Sequence, residues 1–269
     1  VSGPDPRTAD PRTAELADRL AAVEQRIEAA CRAAGRSREE VTLVVVTKFF
    51  PAEDLARLVD LGVTEVGENK AQEAHAKLAD LPPQVRDRLT VHFIGQLQTN
   101  KARLVAGFAD VVHTVDRPRV AHALDRAAAD RGRPLDVLIQ VNLDEPDEPA
   151  QPDEPDEPAQ PRAAAPGGRS GPGPSRGGER PDGIRALAQE VSACPHLTLR
   201  GLMAVAPLGA DPDPAFVRLA GLAADLRREH PAATLVSAGM SGDLEAAVAH
   251  GATHLRVGSA ILGPRPGPR

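Results

Sequence analysis

Eight short runs of apolar, largely β-branched residues, separated by stretches whose apolar positions recur at helical spacing, constrain this chain more than anything else in it. The clearest run is Val41-Thr42-Leu43-Val44-Val45-Val46-Thr47-Lys48-Phe49-Phe50, shut off by Pro51. A run so short and so apolar suits a strand buried on both faces, as in a parallel sheet covered by helices. The others lie at residues 63–66, 90–94, 111–115, 135–141, 198–205, 234–238 and 254–257. Helices are expected between them, over 52–61, 68–79, a segment ending near 106, 117–131, 182–192, 213–229 and 243–250. A leading helix over 13–34 carries Leu16, Leu20, Val23, Ile27 and Cys31 on one face, is ended by Gly35, and stands in for one missing after the last strand. Eight strands and eight helices in alternation describe an α/β chain forming a single (β/α)8 TIM barrel.

Two stretches break the alternation. Residues 1–12 are rich in Pro, Arg and Asp without apolar period and read as a disordered lead, with 264–269 as a tail. Residues 144–152 spell DEPDEPAQP and 153–161 repeat it; from 144 to 180 there is no Val, Ile, Leu, Met or Phe. Such a stretch cannot bury enough apolar area to offset its ordering entropy, so it reads as a solvated, proline-stiffened insertion in one βα loop. The βα pattern resumes in phase behind it, which argues against a linker between two domains. The insertion carries nine acids against four arginines, so of a net charge of -6 the rest holds about -1, and no basic face for nucleic acid is expected. Two cysteines, Cys31 and Cys194, make no disulfide framework. No run suits a signal peptide or a membrane span, so a soluble cytoplasmic protein is expected, and a monomer, since nothing suggests an exposed apolar face.

The candidate chemistry collects at the carboxyl ends of the strands, where barrels of this kind place it. Lys48 ends the first strand. Either it snorkels into water, or it is partly desolvated and acts as a nucleophile towards carbonyls. After the seventh strand comes Ser237-Ala238-Gly239-Met240-Ser241-Gly242-Asp243. This is either an ordinary helix start capped by Ser241 or a turn whose exposed amides cradle a phosphate. The eighth strand ends in Arg256-Val257-Gly258-Ser259, so the two loops from which barrels build phosphate sites are both glycine and serine. Alternation points Arg256 either to the barrel mouth or to the helix layer, and burial there demands an acceptor, with a helix carboxylate as one candidate. Asn69, Asn142 and Met203 also end strands. An amine, a phosphate cradle and a donor between them suit a phosphorylated aldehyde, and pyridoxal 5′-phosphate (PLP) satisfies all three.

These residues resemble the PLP homeostasis protein family, whose barrel is similar to the N-terminal domain of alanine racemase. The resemblance rests on Val45-Val46-Thr47-Lys48, Gly67-Glu68-Asn69, residues 92–101, His113-Thr114-Val115-Asp116, Arg200-Gly201-Leu202-Met203-Ala204, residues 237–243 and 256–259, all in family order. It implies that Lys48 carries the cofactor as an imine; that Ser237, Met240, Ser241, Gly258 and Ser259 hold the phosphate; that Arg256 faces the pyridine nitrogen; and that Asn69 lies near the ring. PLP-dependent apo-enzymes are the implied recipients. The chain departs from the family where a second lysine often follows the first, since Phe50 stands there, and where the acidic repeat replaces a short loop that usually carries a lysine.

Arginine only donates, so a ring nitrogen facing it stays unprotonated and the ring is a poor electron sink. A two-base racemase of the resembled type would also need a tyrosine from a second domain, and this sequence has no Tyr. The reading is therefore a carrier that holds PLP reversibly and buffers or delivers it, without turnover. The alternatives are a single-domain racemase or decarboxylase with His92 or His113 as base, and a class I aldolase acting on a sugar phosphate through Lys48.

Overall fold

The computed structural model describes residues 10–144, 177–207 and 209–264, and within them the expected alternation closes on itself. Strands β1 (Thr42–Val46), β2 (Glu65–Glu68), β3 (Thr90–Phe93), β4 (Val111–Val115), β5 (Leu135–Val141), β6 (Leu197–Ala204), β7 (Leu235–Ser237) and β8 (His254–Val257) form a closed parallel barrel in sequence order. β8 pairs back onto β1, with Val44 opposite Arg256 and Val45 opposite Val257. Around it lie α1 (Pro11–Ala33), α2 (Ala52–Asp60), α3 (Ala71–Ala79), α4 (Pro83–Arg86), α5 (Ala102–Phe108), α6 (Pro118–Arg131), α7 (Ile184–Ser192), α8 (Asp213–Glu229), α9 (Leu244–Ala249) and α10 (Ser259–Leu262).

Register carries one side-chain parity around the ring. Val46, Gly67, His92 and Val111 are successive partners, as are Gln140, Met203, Ser237 and His254, and these point inward. Val45, Val66, Phe93, Val112 and Val257 take the other parity and pack into the main core under the helices. The inward set is half apolar, with Val111, Leu138 and Met203 packed together, and half charged or polar.

Several expectations change. The lead ends earlier than residue 12: Pro11 opens α1, Asp10 caps it by accepting from the Arg12 amide, and the Arg12 guanidinium binds Asp54 and the Leu262 carbonyl. Glu68 belongs to β2 rather than to the next helix, because its backbone is still in the sheet opposite Phe93. A helix does follow the last strand, the single turn α10, and α1 packs against both it and α9. Of the acidic insertion, 145–176 lie outside the described residues, as do 1–9, 208 and 265–269. Its last four residues do not fit the solvated-loop expectation: Glu179 bridges to Val141, donating its amide to the Gln140 carbonyl and accepting from the Asn142 amide. No helix among the described residues is long and apolar enough to cross a membrane.

The end of β1 is held from the helix side. Thr47 is fully buried; its hydroxyl donates to Glu68 Oε1 at 2.7 Å and its carbonyl accepts from Lys77 Nζ at 2.9 Å. Lys77 and Glu68 form a buried ion pair at 2.7 Å between β2 and α3. Burial pushes the Glu68 carboxyl above its ordinary range, and the Lys77 charge opposes that shift. Two residues on, the Phe49 amide donates to Glu73 Oε1 at 2.7 Å, and Phe49 sits at φ 71°, a left-handed conformation that strains a bulky residue. Lys48 lies between these two anchors. Replacing Lys77 with Met is expected to lower stability at neutral pH by about 3–5 kcal/mol, the typical penalty for orphaning a buried charge. The sign of its pH dependence follows from Glu68: a carboxyl raised by burial favours the folded state when protonated, so the variant regains stability as pH falls through that raised value and loses it as pH rises. Urea denaturation at acidic and neutral pH measures both.

Candidate functional site

Lys48 stands two residues beyond Val46, half-buried, with Nζ 5.8 Å from the centre of the Phe49 ring. Lys70 Nζ approaches the same ring to 4.9 Å. Val46 itself is the contact between β1 and its neighbours at the rim. A Cβ on Gly258 would meet the Val46 carbonyl oxygen at 3.1 Å, and one on Gly67 would meet Val46 Cγ2 at 3.4 Å. Glycine at 258 therefore lets the end of β8 lie against the end of β1, two residues before Lys48.

The β7 loop reaches the same rim. Gly239, at φ 89°, turns the chain where a Cβ would fall 2.6 Å from that of Ala247. Its carbonyl accepts from the Arg256 amide. The Met240 amide donates to Asp243 Oδ1 at 2.6 Å, so Met240 shapes the turn with its backbone already engaged, and Asp243 rather than Ser241 occupies the cap position of α9. Ser259 Oγ lies 3.4 Å from Ser241 Oγ, which joins the two glycine–serine loops. Ser241 is half-buried and Ser259 exposed, so both hydroxyls face the open end of the barrel rather than its core.

Arg256 lies inside, at 5% exposure. Its acceptors are the Ser237 hydroxyl (Nη1 to Oγ, 2.6 Å) and the Ala204 carbonyl (Nη2 to O, 2.8 Å), both neutral, and not the helix carboxylate that sequence leaves open. Desolvation lowers its pKa to about 10, which leaves it cationic at neutral pH. Ser237 is fully buried, and its hydroxyl is shared between Arg256 and His113 Nδ1 at 2.9 Å, so it sits beneath the two loops and not among them.

Asn69 follows β2 with its backbone packed under Gly95, and its Oδ1 is buried without a partner among the described residues. A cleft of about 490 Å³ adjoins it, lined in part by Lys70, Gln96 and Lys101. Asn142 is taken up locally, accepting from the Asp144 amide, and Met203 belongs to the apolar interior. Sequence reading missed the Glu68–Lys77 pair and the partners of His92 and His113. The signal for the first was a glutamate at an outward strand position, where an unpaired charge would be untenable. A half-buried amine, a buried guanidinium with neutral partners and an orphaned amide oxygen fit an anionic, aromatic carbonyl compound with hydrogen-bonding substituents.

The chain is similar to known proteins over most of its length. The family model for the alanine racemase N-terminal domain matches residues 19–145 and 170–266. The pyridoxal phosphate homeostasis protein of Mycobacterium tuberculosis is 40% identical over 275 residues, covering 94% of each chain. That of Escherichia coli is 36% identical over 258 residues, covering 93% of this chain and 97% of its own. The solved structure of PipY from Synechococcus elongatus with PLP bound superposes with a TM-score of 0.69 at 31% identity, over 92% of this chain and 100% of that one. By sequence and by fold, this chain belongs to the pyridoxal phosphate homeostasis protein family, built on the barrel of the alanine racemase N-terminal domain.

Proposed function

We propose that this chain binds pyridoxal 5′-phosphate reversibly on Lys48, and that it buffers the cofactor or hands it to PLP-dependent apo-enzymes inside the cell, as a monomer and without turning over a substrate. The observation that carries this reading is a half-buried lysine whose backbone is held on both sides, together with a buried guanidinium whose acceptors are both neutral. The PLP-bound relative at 31% identity supports this cofactor over a sugar phosphate. Bound here, PLP would supply an aldehyde for covalent capture and a conjugated ring. The rest is the work of the chain. Arg256 would present donors to the ring nitrogen and keep it unprotonated, because a guanidinium at a pKa of about 10 does not give up a proton at neutral pH. The hydroxyls of Ser241 and Ser259 would take the phosphate, with Met240 and Gly258 fixing the shape of the turns, and Ser237 would hold Arg256 in place from below. Asn69 would lend its unpaired oxygen to a donor on the ring.

The racemase or decarboxylase reading needs a free base. His92 and His113 are poor candidates, since His113 uses both ring nitrogens and so does His92, in contacts of 2.6–2.9 Å inside the barrel. The relatives are named for homeostasis rather than for a reaction, which supports the carrier.

With no Trp or Tyr in the sequence, bound cofactor should dominate the near-ultraviolet and visible spectrum. The protein is expected to develop such a band with PLP and to be labelled by it on borohydride reduction. Lys48→Ala should lose both; a wild-type protein without them overturns the reading. Amino-acid racemisation above the Lys48→Ala control would favour the enzyme instead. Gly258→Val, which forces side-chain atoms against the Val46 backbone, is expected to weaken PLP binding at least tenfold, or by about 1.4 kcal/mol or more, as read by equilibrium titration.

A further inference from the structure

Beneath the rim, one uninterrupted line of polar contacts runs down the barrel interior from Arg256 to the opposite face. Arg256 Nη1 meets Ser237 Oγ at 2.6 Å, Ser237 Oγ meets His113 Nδ1 at 2.9 Å, His113 Nε2 meets His92 Nδ1 at 2.8 Å, and His92 Nε2 meets Glu65 Oε2 at 2.6 Å. Ser237, His113 and His92 are buried, whereas the Glu65 side chain, at the amino end of β2, keeps 26% of its surface exposed. The line joins five strands, β8, β7, β4, β3 and β2, through side chains that share the inward parity.

Proton counting allows two arrangements. Arginine can only donate, and an ionised Glu65 can only accept. With His92 neutral, every bond runs one way: Arg256 donates to Ser237, Ser237 to His113 Nδ1, His113 Nε2–H to His92 Nδ1, and His92 Nε2–H to Glu65. With one proton more, His92 carries hydrogen on both nitrogens and donates to Glu65 and to His113 Nε2. His113 then bears its hydrogen on Nδ1 and donates to Ser237. The Ser237 oxygen now accepts from both Arg256 and His113, so its own proton must turn out of the line. The conversion balances: a proton from solvent joins Ser237 Oγ, the former hydroxyl proton passes to His113 Nδ1, and the His113 Nε2 proton passes to His92 Nδ1.

We infer that Glu65, His92 and His113 are positioning residues of the cofactor site, setting the direction of the Ser237 hydroxyl according to whether His92 holds one proton or two. This rests on the PLP-binding reading above and deepens it. The surroundings allow such a switch. His113 is held neutral by complete burial and by the neighbouring positive groups, so it changes tautomer and not charge. His254, whose ring centre lies 6.0 Å from that of His92, is lowered to about 4 by burial and stays neutral as well. The charged groups facing the histidines are Glu65, Arg256, and Asp136 with its partner Arg200 at 3.2 Å, so the extra charge on His92 meets two carboxylates and two guanidinium groups. Linkage makes the effect reciprocal: a ligand that accepts from Ser237 favours the doubly protonated His92, and that state favours the ligand.

Nitrogen-15 NMR of the histidine rings in the PLP-free protein tests this, from about pH 8 to about pH 5, the range in which histidines change charge. His113 is expected to pass from the Nε2–H to the Nδ1–H form as pH falls, with the midpoint at which His92 gains its proton. Glu65→Gln, at the partly exposed end of the line, should fold normally and move that midpoint to lower pH; His92→Asn should abolish it. Saturation with PLP should move the wild-type midpoint upward by about one pH unit, equivalent to a tenfold preference of PLP for the doubly protonated state. A single His113 tautomer throughout overturns the proposal even if PLP binds, as does a midpoint left unmoved by PLP whose binding the Lys48 spectrum shows. Failure of the Lys48 spectrum, with the tautomer change intact, counts against PLP as the cofactor and leaves the switch standing.

Discussion

A guanidinium sealed inside a parallel barrel dictates much of what surrounds it. Taking the Arg256 charge out of water is expensive, on the order of several kcal/mol even after relaxation, and the usual remedy would be a carboxylate. Here the remedy is a hydroxyl and a carbonyl, which satisfy donors without cancelling charge. The charge is left to act on whatever occupies the mouth. The hydroxyl that accepts from Arg256 must in turn place its own proton, which is why a polar residue follows a polar residue through His113 and His92 until Glu65 reaches solvent. One half of the interior is therefore committed to hydrogen bonds, and Val111, Leu138 and Met203 fill the other half by ordinary packing.

The amine is controlled from the other side of the sheet. Thr47 points outward into the Glu68–Lys77 pair, and Phe49 is pinned in a left-handed turn by Glu73, so the backbone on both sides of Lys48 is held by groups on β2 and α3. Guanidinium and amine are thus set by independent networks, one inside the barrel and one between sheet and helices. β8 pairs with β1 at the seam between the two networks, and glycine at 258 leaves room there for the Val46 carbonyl. A defect in either network would misplace one partner and leave the other correct.

Much of this was legible in the sequence because it follows from periodicity and from turn chemistry. Strand runs, their alternation with helices, the glycines at 239 and 258 and the lysine after β1 all carry local signatures. The pairings inside the barrel do not, because Glu65, His92, His113 and Ser237 are separated by 21 to 124 residues and meet only through register. Glu68 was misread for a related reason. A glutamate followed by Asn, Lys and Ala resembles a helix start, and only the partner nine residues on, Lys77, reveals that the carboxylate is buried against a strand. The capped start of α1 at Pro11 was hidden by a composition that resembles disorder, although Asp-Pro at its head is itself a start signal.

Exposure at the rim bears on what such a site is for. Enzymes that do chemistry on a bound cofactor gain from excluding water, which strengthens every electrostatic contact around the reacting atoms. In this barrel the burial runs the opposite way: the deepest groups, Ser237 and Arg256, hold position, while Lys48 and Ser241 are half-buried and Ser259 is exposed. On the proposed reading, water that reaches Lys48 would reverse the covalent attachment there, and water that reaches Ser241 and Ser259 would compete with the phosphate. Under the reading proposed above, a site arranged in this order would grip PLP by its floor and release it at its lip, the balance that a carrier needs.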